Sequence, residues 1–146
     1  MSETTGPTGL EQMEAIRDGA IPRATIQDAL AFDLLEVDEG RAVFGYTPSA
    51  AHCNPMGQVH GGVAMTLLDS AAGCCVHTTL APGERYATLE TKVNLVRTVR
   101  ADGAALRAEG RVVHRGGTVA TSEARLVDAD GRLYAHATST CLIMRG

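Results

Sequence analysis

"GGVAMTLLDSAAGCCVHTTL", residues 61–80, runs for twenty residues with little polarity and carries one carboxylate near its middle, Asp69. A stretch of that length can span a bilayer. A central Asp costs about 2.5–3.5 kcal/mol on insertion scales, and the run is rich in Gly, Ala and Thr and lacks basic flanks. A membrane span is therefore rejected. The run is too long for a strand and contains good helix formers, which predicts one helix of about five turns over residues 63–80. With nearly every face apolar, such a helix has to be enclosed, and Asp69 is expected to be a buried carboxylate.

The flanking sequence supplies the enclosure. Downstream, "APGERY" breaks the helix, and four β-prone runs follow at roughly residues 86–97, 104–114, 118–128 and 132–143. Asp102-Gly103, Gly116-Gly117 and Asp130-Gly131 provide turns between them, which reads as an antiparallel meander. Upstream, "FDLLEV" and "RAVFGY" flank Asp38-Glu39-Gly40 and form a hairpin over residues 32–46. "LEQMEAIRDG", residues 10–19, places Leu10, Met13 and Ile16 at helical spacing before a glycine stop, and "TIQDAL", residues 25–30, adds one further turn. The expected architecture is α+β: one long central helix wrapped by a curved antiparallel sheet of about six strands.

The 146 residues suit a single domain over residues 10–146, with residues 1–9 as a flexible N-terminal tail. Hydrophobic residues at 45% and charged residues at 21% exclude disordered and fibrous classes. A net charge of −4 with interspersed signs gives no footprint for nucleic acid or an anionic membrane. Cys53, Cys74, Cys75 and Cys141 form no C-x-x-C pair and read as reduced thiols, and no secretory signal is recognisable. A cytoplasmic protein is expected.

Chemistry concentrates at the helix start. No Ser, Thr or Asp directly precedes the helix, so its first N–H groups are expected to lack a side-chain cap and to attract negative charge. Gly61 and Gly62 remove Cβ atoms where a ligand would approach the backbone, a use that suits an oxyanion hole as well as a plain turn. His60 fits either a site role or a backbone partner. A carboxylate in a water-poor site, such as Asp69, serves as a base, as a nucleophile or as half of a structural pair. Gly61 and Asp69 are eight residues apart, roughly 12 Å along a helix. One small reacting group cannot touch both within one chain. If both serve one site, a second subunit supplies one of them, which predicts a symmetric dimer with two sites.

"NPMGQVHGG", with Asp nine positions after the histidine and then "YATLETKVNLVRTV", resembles hotdog-fold acyl-CoA thioesterases of the phenylacetate-pathway type over about residues 32–144. The resemblance implies hydrolysis of an acyl-CoA to free acid and CoA, with the Gly61 N–H as oxyanion donor and Asn54 and His60 near the thioester carbonyl. It also implies that Asp69 is the acid acting across a dimer interface, and that the Thr88 hydroxyl positions water or the carboxylate. Without the resemblance, Thr88 reads as an ordinary strand residue and Asn54, before Pro55, as a turn residue. Two departures stand out. Thr98 occupies a position where relatives often carry proline. Asp69 stands where hydroxybenzoyl-type relatives carry Glu, so the substrate of that branch does not transfer.

CoA phosphates call for cations, and the candidates are Arg97, Arg100, Arg111 and Arg115, with the backbone of Gly62 and Gly116 nearby. No metal or organic cofactor is expected, CoA being part of the substrate: His52, His60, His77, His114 and His136 form no short ligand motif. With 3% aromatic residues, aryl, short-chain and medium-chain acyl groups all stay open. Two other readings use the same fold, an acyl-thioester hydratase or dehydratase and a non-catalytic acyl-CoA-binding regulator. The partners expected are an acyl-CoA and a second copy of the chain, as a homodimer or a dimer of dimers.

Overall fold

The computed structural model describes residues 5–146. The long apolar run forms helix α3, Gly61–His77, starting two residues before the expected point and ending three before it. The early start has a side-chain cause. The His60 imidazole caps the helix, its Nδ1 accepting from the Gly62 N–H at 2.8 Å. The expected absence of a cap is thus corrected; histidine is not among the preferred capping residues, so residue type gave no warning. At the other end, the hydroxyls of Thr78 and Thr79 donate to the Cys75 and Val76 carbonyls, each at 2.7 Å, and close the last turn.

The enclosure is incomplete. Val63, Ala64, Leu67, Leu68, Ala71, Ala72, Cys75 and Val76 are buried, but Met65 and Asp69, four residues apart on one side, are exposed. The expectations of a fully enclosed helix and a buried Asp69 are therefore corrected: in the single chain the sheet wraps one side of α3 and leaves a stripe open to water. Among the described residues, no helix is long and apolar enough to cross a membrane.

The sheet comprises β1 (Phe32–Asp38), β2 (Arg41–Tyr46), β3 (Arg85–Leu95), β4 (Leu106–Arg115), β5 (Val119–Val127) and β6 (Leu133–Met144). Every pairing is antiparallel, in the order β1-β2-β4-β5-β6-β3. The hairpin over residues 32–46 and the run β4-β5-β6 stand as expected. The four-strand meander does not. β3 leaves its sequence neighbour β4 and lies on the far edge beside β6, while β2 takes the place next to β4. Turn residues mark where strands end without specifying which strand each will join.

Small residues let α3 sit close to the sheet. A Cβ at Gly110 of β4 would stand 2.0 Å from the Ala71 carbonyl oxygen. The buried Ser122 hydroxyl donates to the Ala72 carbonyl at 2.8 Å. Because the obstacle at Gly110 is helix backbone, Gly110→Ala forces α3 off the sheet. Its expected cost is about 1–3 kcal/mol, read as a lower urea midpoint with an unchanged slope.

Helix α1 (Gly9–Arg17) covers one end of the core and buries Met13. The Thr8 and Glu11 side chains form a reciprocal cap, and the Gly9 N–H donates to the Leu80 carbonyl at 2.9 Å. Of the stretch expected to be a tail, residues 1–4 lie outside the described residues, while Thr8 and Gly9 belong to this helix and its cap. The single turn α2 (Ile26–Ala29) follows.

His77, in the last turn of α3, contacts Gln12 of α1 through Nε2 and Oε1 at 2.7 Å. Burial holds its imidazole below the ordinary value of 6.5. The unfolded chain therefore takes up this proton more readily, and the His77 contribution is complete above pH 6.5 and lost as pH falls through the lower folded value. Unfolding midpoints measured across this range should fall less with acidification in His77→Gln than in the parent.

Candidate active site

Two clusters meet α3 at different places. The first surrounds its N-terminus. After the 3₁₀ turn Ala50–His52 the chain makes a tight loop, with the Asn54 Oδ1 accepting from the Met56 and Gln58 N–H groups at 3.0 and 3.2 Å. The turn role thus occupies the Asn54 carbonyl oxygen, and its NH₂ is the group left to donate. The loop is anchored by the Val59 N–H to the Val99 carbonyl and by the His60 N–H to the His52 carbonyl, at 3.0 and 2.9 Å.

These contacts build a cleft of about 250 Å³. Asn54, Gln58, His60 and Gly61 line its polar side, while Ala64, Leu95, Val96 and Val99 are apolar, with Arg97 and Tyr134 at the same opening. Because the His60 Nδ1 accepts from Gly62, its neutral ring carries the proton on Nε2 and can donate there. The Gly62 N–H is consumed by that bond. Among the hydrogen bonds of the described residues, none uses the Gly61 N–H, which remains an orphan donor at a helix start lining the cleft.

The second cluster lies two turns along the helix. The Asp69 Oδ1 accepts from the Thr88 hydroxyl at 3.2 Å and has the Thr91 hydroxyl at 3.5 Å. Strand alternation would send residues 88 and 91 to opposite faces. A β-bulge removes the conflict: Thr88 pairs with Cys141 and Glu90 with Thr140, leaving Leu89 as the extra residue, so both threonines turn toward Asp69. The Thr91 hydroxyl lies 3.1 Å from the Ser139 hydroxyl, which donates to the Glu90 carbonyl at 3.0 Å. Thr91, Ser139 and the bulge escaped the sequence reading because no residue type announces a bulge here.

Asn54, His60, Gly61 and Gly62 thus come together, and Asp69 and Thr88 come together, but Asp69 does not line the Gly61 cleft of its own chain. The arginines separate as well. Arg97 lies at the cleft, 5.8 Å from the centre of the Tyr134 ring, and makes no salt bridge among the described residues. Arg100 pairs with Asp102 and Arg111 with Glu109. Arg115 donates to Glu84 at 2.9 Å and to Thr79 at 3.0 Å, beyond the opposite end of α3. The Gly116 N–H donates to the Val119 carbonyl within its own hairpin. Gln58 and Tyr134 are cleft residues that sequence reasoning did not select.

The four cysteines are free thiols, and burial pushes Cys74 and Cys75 up to about 12. At neutral pH they stay protonated, which makes them poor nucleophiles.

A curved six-stranded antiparallel sheet around one long helix is the hotdog fold. The chain belongs to the thioesterase superfamily, whose family model matches residues 56–135. It is similar in structure to a phenylacetic acid degradation-related protein of Ralstonia eutropha JMP134, with a TM-score of 0.80 and 30% identity, covering 89% of this chain and 98% of that one. A Streptococcus mutans UA159 protein solved bound to acetyl CoA shares the fold at a TM-score of 0.71 and 26% identity, over 79% of this chain and 91% of the other. In sequence, the 1,4-dihydroxy-2-naphthoyl-CoA hydrolase of Listeria monocytogenes serotype 1/2a is 23% identical over 120 residues, 82% of this chain and 96% of that protein. Thioester hydrolysis is the class of chemistry this family membership supports.

Proposed function

We propose that the protein hydrolyses acyl-CoA thioesters at two equivalent sites, each built from the Gly61 cleft of one protomer and Asp69 of the other. One observation carries the reading: a single helix presents an unpartnered N–H in a cleft at its start and a threonine-held carboxylate on its open stripe, too far along to serve the same cleft. Two such helices running antiparallel bring each donor to the other's carboxylate.

The surface suits that assembly. Met65 on α3 and Leu89, Leu95 and Val96 on and just beyond the edge strand β3 are exposed by 45%, 59%, 51% and 57%. They form an apolar border beside an unpaired strand edge, the kind of surface that a second copy covers.

In the proposed reaction the thioester carbonyl oxygen points at the Gly61 N–H, with the Asn54 NH₂ and the His60 Nε2–H as neighbouring donors. Negative charge developing on that oxygen is stabilised by donors already in place. Asp69, held by Thr88, removes a proton from attacking water, and the carbon–sulfur bond breaks to release CoA as the thiol. Direct attack by Asp69 through an acyl-enzyme anhydride gives the same products. Arg97 is the cation best placed for a CoA phosphate, since Arg100, Arg111 and Arg115 are engaged by carboxylates. Free thiols and an acyl-CoA ligand suit a cytoplasmic location.

The test is thiol release from a panel of aryl and straight-chain acyl-CoAs, with Asp69→Ala as control. Thiol released by the parent protein and lost in the variant supports hydrolysis at this site. Hydration of an enoyl-CoA without thiol release, or tight binding with no turnover, would replace it with one of the other two readings.

A further inference from the structure

The open stripe of α3 ends against a wall. Gly73 lies four residues after Asp69 on the same side of the helix, yet it is buried. A Cβ there would stand 2.8 Å from the Tyr86 hydroxyl oxygen and 3.0 Å from ring carbon Cε2. The Tyr86 ring therefore occupies the space a side chain at position 73 would take. Tyr86 and Thr88 are two residues apart on β3 and face α3 together, one over Gly73 and the other at Asp69.

The wall is braced from behind. His77 packs edge-on against Tyr86, with ring centres 5.7 Å apart at 87°, and is itself tied to Gln12 of α1. Tyr86 cannot swing in that direction without displacing the His77 ring. Tyr86 is half-buried in the single chain, so it keeps some surface open to solvent.

This inference rests on the two-protomer thioesterase site proposed above. Met65 lies four residues from Gly61 and four from Asp69. Antiparallel helices that bring Gly61 to the partner's Asp69 therefore place the two Met65 side chains against each other on the axis, closing that direction. An acyl group whose carbonyl carbon lies at Asp69 then extends the other way. It reaches the level of Gly73 after roughly 6 Å. We infer that Tyr86, seated over Gly73, sets the length limit of the acyl group and restricts the enzyme to short-chain acyl-CoAs.

The experiment measures kcat/KM for straight-chain thioesters from acetyl-CoA to decanoyl-CoA, with the parent protein and with Tyr86→Val and Tyr86→Leu, each checked by thermal unfolding. One methylene in a shaped apolar pocket discriminates by about 10–200-fold. The parent is expected to favour the short members, and in either folded variant the decanoyl-to-butyryl ratio should rise by about tenfold or more. A parent that cleaves decanoyl-CoA as well as butyryl-CoA, or folded variants with the parent's profile, overturns the length limit alone. No thiol release from any member of the aryl and straight-chain panel overturns the hydrolase reading and this inference with it.

Discussion

Asp69→Asn should lower kcat by about 10²–10⁴ while leaving substrate binding close to that of the parent. The substitution preserves size and the two threonine contacts and removes the capacity to accept a proton or to attack as a carboxylate. Stability gives a clean control. Asp69 is exposed and, among the described residues, is held only by Thr88 and Thr91, so its neutralisation neither strands a buried partner nor opens a cavity. Steady-state kinetics together with acyl-CoA binding to the inactive variant separate the two effects. Near-parent turnover in Asp69→Asn would remove the carboxylate from the mechanism.

The second large effect is expected at Gly61, where the backbone N–H can be deleted without disturbing the helix. Gly61 is the first helical residue, a position where proline is favoured and the N–H has no helical partner. His60, at φ −60° and ψ 135°, already has the extended backbone that a residue before proline requires. Gly61→Pro therefore removes the donor, and Gly61→Ala adds comparable bulk near Leu95 while keeping it. The added Cβ meets only the Leu95 Cδ1, at 2.7 Å, the movable end of a side chain. Relative to Gly61→Ala, the proline variant should lose a further 10²–10³-fold or so in kcat. Equal activities in the two would mean that the N–H plays no part.

Much of this was readable from residue types. The apolar run over residues 61–80 demanded a covered helix, and the turn dipeptides located four strands within a few residues of their ends. The Gly-Gly lead-in and Asp69 marked both halves of the proposed site. What stayed hidden depends on distant partners. The place of β3 beside β6 is settled by packing around α3, which no local signal encodes. Burial of Asp69 was inferred from its apolar neighbours, but those neighbours cover the other sides of the helix, and the stripe carrying Met65 and Asp69 faces outward. The bulge at Leu89 breaks strand alternation, so Thr91 could not be assigned to the face of Thr88. Arg115, a candidate phosphate ligand beside its glycine turn, donates to Glu84, 31 positions away in sequence, a partner that no local signal announces.

A shared site between two protomers can be tested by mixing two inactive chains. Gly61→Pro and Asp69→Asn, co-expressed with different tags, form mixed dimers in which one site carries both defects and the other carries neither. Random pairing of equal amounts should restore about a quarter of the parent activity, and the purified mixed dimer about half. A purified mixed dimer no more active than either variant alone would show that donor and carboxylate do not meet across the pair.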